Sequence, residues 1–114
     1  MALRNIERKQ LLLAALGSRT VTSVDVRTIC LQPGQFAGRH LHPCPVLGYI
    51  AEGTALYQIE GQPSQTLPAG SAFYEAADAV IAHFGNASET EPMTFIAFYL
   101  LDGDQELIKM LASE

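Results

Sequence analysis

The stretch PGQFAGRHLHPCPVLGYIAEG, residues 33–53, decides how the rest of the chain is read. Pro33-Gly34 and Glu52-Gly53 are turn pairs: proline presets its φ, and glycine accepts a positive one. Between them, His40 and His42 stand two positions apart. On a strand they share a face, while Leu41 points the other way. Pro43 and Pro45 bracket Cys44 and interrupt regular alternation there. Val46–Ala51 then reads as a strand, joined through Glu52-Gly53 to Ala55–Ile59 in an expected hairpin.

Working outward, the punctuation is that of an all-β protein. Turn signals recur at Gly17-Ser18, Glu60-Gly61-Gln62-Pro63, Pro68-Ala69-Gly70, Asn86 and Pro92. Between them lie short runs of Val, Ile, Tyr, Phe and Thr, spaced as in a sandwich or barrel. Val24, Val26, Thr28 and Cys30 alternate with Asp25 and Arg27, the period of a half-buried strand. Cys30 reads as a small core residue at its end. Phe95–Leu101 is apolar on both faces, with Phe95, Ala97 and Tyr99 on one and Ile96, Phe98 and Leu100 on the other. Ile6–Leu16 suits either a helix or an edge strand, and Asp104–Leu111 suits a short helix.

Two blocks carry a resemblance. The first is the opening stretch, with Gly34, His40, His42 and Gly53 at the spacing of the first cupin motif. The second, PAGSAFYEAADAVIAHFGN at residues 68–86, resembles the second cupin motif through Pro68, Gly70, Phe73, Tyr74 and Asn86. The resemblance implies one double-stranded β-helix barrel over 1–114, with its core about 22–101 and His40 and His42 facing inward. It also implies a ligand set of two His, a Glu and a third His around a divalent transition metal. Fe, Mn, Ni, Cu and Zn all suit imidazole. Here the Glu position falls at Val46 or Leu47, and the third His position at Ile81.

His83, two residues beyond Ile81, shares its face on a regular strand, so it is expected to complete the set with His40 and His42. The alternative is a pocket or surface histidine, because a slip of one residue reverses the face. Cys44, Val46, Tyr57, Tyr74 and Ile81 are the candidate pocket residues. Cys44 is either a ligand or a passive rim thiol, and the tyrosines are either pocket or core. Glu75 reads as a solvated charge at a strand end. The implied chemistry is oxygenase, isomerase or decarboxylase work on a small polar metabolite. The competing reading is a metal-free binding module without turnover.

Composition excludes several other classes. At 114 residues, 48% hydrophobic and 17% charged, the chain can bury a core and is not disordered. A net charge of −5 disfavours nucleic acid as a partner. No stretch approaches the ~20 apolar residues needed to cross a bilayer. The apolar run Leu11–Leu16 is too short for a signal peptide, so a cytoplasmic location is expected. Cys30 and Cys44 make no disulfide framework. No phosphate loop, nucleophile elbow or organic-cofactor motif is present. The second apolar face of Phe95–Leu101 predicts a homodimer, unless Leu11–Leu16 covers it.

Overall fold

The computed structural model describes residues 5–112. Ten strands run in order: β1 (Ser23–Leu31), β2 (Phe36–Ala37), β3 (His40–Leu41), β4 (Val46–Glu52), β5 (Thr54–Ile59), β6 (Gln65–Pro68), β7 (Ala72–Glu75), β8 (Ile81–Asn86), β9 (Met93–Leu101) and β10 (Lys109–Met110). They form two antiparallel sheets, one in the order β1-β9-β4-β7 and the other β10-β3-β8-β5-β6, with β2 also paired to β8. No helix occurs among the described residues, and none is long and apolar enough to cross a membrane. This is the all-β double-stranded β-helix that the motifs implied.

The core fills the space between the sheets from both sides. Ile50, Phe73 and Met93 of one sheet pack with Ala55, Tyr57, Ile81 and Phe84 of the other. A second cluster, Cys44, Val46, Ala97 and Tyr99, closes the opposite part. Gly48 is needed where it stands, because a Cβ there would fall inside the Phe73 ring of the neighbouring strand.

The expected hairpin does not form. β4 and β5 are consecutive but belong to different sheets, so Gly53 is a corner between layers and not a hairpin turn. Its φ of 81° and the close approach of the Pro92 carbonyl, 2.7 Å from any added Cβ, require glycine. Ile6–Leu16 is neither helix nor strand, and Leu13 is 82% exposed. Asp104–Leu111 forms no helix and contributes the short strand β10.

The face of β1 is reversed from its expected sense. Val24, Val26 and Cys30 are exposed, whereas Ile29 and Leu31 look toward the cavity. Val24 pairs with Leu100, Val26 with Phe98 and Thr28 with Ile96. Side chains of directly paired residues lie on the same face. The outer surface of this sheet is therefore apolar and continues across β4 through Leu47 and Tyr49, which pair with Phe98 and Ile96.

Candidate metal centre

β3 delivers His40 inward, and the turn after it delivers His42. Both rings are buried, at 4% and 7% exposure. Each is anchored through Nδ1: His40 donates to the Gly38 carbonyl at 2.6 Å and His42 to the Leu107 carbonyl at 2.6 Å. A carbonyl only accepts, so both Nδ1 atoms carry protons. A neutral ring then keeps the Nε2 lone pair free for a metal, while on His42 a second proton at Nε2 is donated to Glu75 in the metal-free protein. Anchoring of this kind orients a metal-binding imidazole. The rings meet edge to face, 5.0 Å between centroids.

The third member is Glu75. It ends β7 on the same side as Phe73 and is 3% exposed. Its Oε1 lies 3.0 Å from His42 Nε2. The expectation of a solvated charge is thus corrected: strand alternation turns Phe73 and Glu75 inward together. Tyr74 consequently looks out of the barrel and is only half-buried. One donor atom each from His40, His42 and Glu75 lie within 4.8 Å of one another.

Register explains how this carboxylate stands in for an absent one. Val46, a position where the cupin resemblance puts the ligand Glu, is directly paired with Glu75 across β4 and β7. Paired positions on one face bring Cβ atoms to about 4.5–5.5 Å, well within reach of a Glu side chain. Ile81, where the resemblance puts the third His, is paired with His40 and fully buried in the core.

His83 does not join the group. Gln58 pairs with His83 and Ile59 with Ile81, so Ala82 is an extra, bulged residue. The bulge breaks the period of two, keeping Ile81 and Phe84 inside and turning His83 outward. There its ring stacks on Phe36 at 5.3 Å, in an outer groove that also holds Arg39 and Glu60.

The two inner histidines are pushed in opposite directions. Burial lowers the pKa of His40, only partly opposed by its bond to Gly38. Burial opposes charge on His42 as well, yet the bonds to Glu75 and to the Leu107 carbonyl win, and its pKa is raised. Burial also pushes the Cys44 thiol up, which keeps it a core thiol among Val46, Ala97 and Tyr99 and not a thiolate. Tyr57 is core, and its buried hydroxyl stands beside Glu75 without a well-formed hydrogen bond. Burial first, then the charge of Glu75, raises its pKa.

A cavity of about 170 Å³ opens beside the three residues. Of the pocket candidates Val46 lines it, and Cys44, Tyr57, Tyr74 and Ile81 do not. Its wall is otherwise largely apolar, with Ile29, Leu31, Phe73, Phe84 and Phe95, and it includes Tyr99, whose ring lies edge-on to His42. The donor set fits a divalent transition ion: two neutral imidazole nitrogens with anchored partners, one carboxylate, and open space on the remaining side.

Comparison with known proteins agrees with this fold. A crystal structure of a cupin-like protein from Thermotoga maritima superposes with a TM-score of 0.67 at 22% identity, over 79% of this chain and 65% of that one. The DMSP lyase DddQ of Ruegeria pomeroyi gives 0.67 at 17%, over 77% and 43%. An oxalate decarboxylase of Lactobacillus farciminis, solved as a formate complex, gives 0.65 at 18%, over 77% and 26%. The chain therefore spans less than two thirds of each of these neighbours, and at such identities the likeness is one of fold. None of the curated proteins matches. A family profile described as a cupin domain matches residues 27–104, and with the barrel in place the chain belongs to the cupin family.

Proposed function

We propose that the chain holds one divalent transition metal ion between His40 Nε2, His42 Nε2 and Glu75, and binds a small molecule beside it in the barrel. The observation that carries this reading is the convergence of these three buried donors on one point. Two imidazoles and one carboxylate with open positions form the set used by non-haem iron(II) sites. Bound there, the ion would supply Lewis acidity to a coordinated ligand atom. The protein's own part is to orient both rings through the Gly38 and Leu107 carbonyls and to surround the ligand with a low-dielectric wall. Turnover of a small metabolite, of oxygenase, isomerase or decarboxylase type, belongs to the same proposal. The lyase and decarboxylase among the fold's neighbours support it.

The direct His42–Glu75 contact favours the competing reading, a metal-free binding module, because the pair satisfies itself without an ion. Metal analysis of untagged protein separates the two. About one equivalent of bound ion per chain supports the metal site. Protein that takes up no iron(II), manganese, nickel, copper or zinc from excess leaves the binding module.

A homodimer is proposed alongside. Support comes from the apolar outer face of Val24, Val26, Ile96, Phe98, Leu100 and Tyr49, and from the exposed Leu11–Leu13 of the irregular N-terminal arm. The radius of gyration, 15.5 Å, exceeds the ~13 Å expected near this length, as an extended arm requires. Charge agrees as well. Arg4, Arg8, Lys9 and Arg19 against Glu7 make residues 1–19 basic, while the remainder is acidic. Light scattering at micromolar concentration should give twice the chain mass, and a monomer mass refutes the dimer.

A further inference from the structure

The charges around the cavity limit what it can take. Among the described residues that line it, Glu75 is the one carboxylate, and no Lys or Arg is present. Arg27, whose charge reaches Tyr99, stands on the surface and is held by Asp25 at 2.9 and 3.2 Å. A divalent ion with Glu75 and two neutral imidazoles would leave one net positive charge in a half-open cavity with largely apolar walls. One negative charge on the ligand cancels it. A second would be buried without a partner, which costs far more than the same charge in water. The walls set the other half of the requirement. Among the described residues, Tyr99 is the only lining side chain besides the ligand residues that carries a polar atom, which is too few for a polyol. The volume, about 170 Å³, compares with the ~150 Å³ apolar cavity known to hold benzene.

We propose that the loaded site selects a small monoanion, one oxygen-donor head on a compact hydrocarbon body, and rejects dianions and phosphate. The head sits on the open side of the ion, and the body lies against Ile29, Leu31, Phe73, Phe84 and Phe95. The proposal rests on the metal reading above, and its test separates the two. Untagged full-length protein is loaded with cobalt(II), whose visible absorption reports both entry into the site and a change of its ligands.

A cobalt spectrum that His40→Ala or His42→Ala abolishes is expected, and its absence in wild-type protein overturns the metal reading and this inference together. With that spectrum in place, acetate, isobutyrate, benzoate, malonate and inorganic phosphate are titrated in turn. Affinity should rise from acetate through isobutyrate to benzoate, by about fourfold per buried methylene-equivalent. Benzoate should bind at least about tenfold more tightly than malonate or phosphate, although malonate is the better chelator in water. Malonate or phosphate binding as tightly as benzoate, with the cobalt spectrum intact, overturns the inference alone.

Ile108, 42% exposed at the rim, provides a second variant that leaves the core untouched. Ile108→Lys supplies the missing cation and should narrow the gap between benzoate and malonate. An unchanged gap contradicts the charge argument.

Discussion

His40 and His83 stand on neighbouring strands of one sheet, β3 and β8, and face opposite sides of it. His40 looks into the barrel, is buried, and offers a donor atom within 4.8 Å of those of His42 and Glu75. His83 looks out, stacked on Phe36. One bulged residue, Ala82, makes the difference. The lesson is that residue type and spacing nominate a ligand, but register decides. A bulge that serves the packing of Ile81 and Phe84 removes the histidine from the site.

That contrast is broken most readily by deletion. His42→Ala and Glu75→Ala should each weaken metal binding by more than the 10–100-fold that loss of an outer-sphere partner costs. His83→Ala should leave it unchanged within about twofold. Calorimetric titration of the four proteins with nickel decides, and a comparable loss in His83→Ala would return His83 to the site.

The carboxylate is sharpened by moving it. Since Val46 and Glu75 face each other across one strand pair, the double variant Val46→Glu, Glu75→Ala puts the carboxylate back on the opposite strand. It should recover at least about tenfold of the affinity lost in Glu75→Ala. No recovery would mean that the two positions are not equivalent in reach.

A smaller effect is expected in the pH dependence of the metal-free protein. The folded state raises the pKa of His42, so its protonated form contributes stability that is complete below about pH 6.5 and lost as the pH rises through the raised value. His40, lowered by burial, acts oppositely and costs stability as the pH falls below about 6.5. In thermal melts with chelator, wild type should exceed Glu75→Gln by about 1–3 kcal/mol at the acid end of this range. The gap should shrink as the pH rises, and a constant gap contradicts the assignment.

The smallest effect belongs to Tyr57. Its hydroxyl is buried beside Glu75 without a well-formed hydrogen bond, so Tyr57→Phe should be neutral or stabilising by up to about 1 kcal/mol in denaturant melts. A clear loss would show that the hydroxyl is bonded to Glu75 in solution.

The barrel was legible because its signals are local. The glycines and prolines of both motifs mark corners, and the two-residue spacing puts His42 on the inward side with His40 although β3 ends at Leu41. The corner at Gly53 is not legible, because a corner between sheets and a hairpin turn use the same Glu-Gly pair. The face of β1 is not legible either, because its apolar residues Val24 and Val26 face out beside Leu100 and Phe98. Glu75 was within reach of the same logic, since Phe73 and Glu75 share parity, but a carboxylate at a strand end is normally solvated. His83 was not. Nothing in IAHFGN announces that Ala82 is unpaired, because the bulge exists only in the pairing with Gln58 and Ile59.

The central claim is a place as much as an affinity, so the most direct test is anomalous diffraction from crystals soaked in zinc. The account predicts one strong peak about 2.0–2.2 Å from His40 Nε2, His42 Nε2 and a Glu75 oxygen, with the His42–Glu75 contact opened to admit it. A map with that contact intact and no peak, or with its peak at His83, contradicts it.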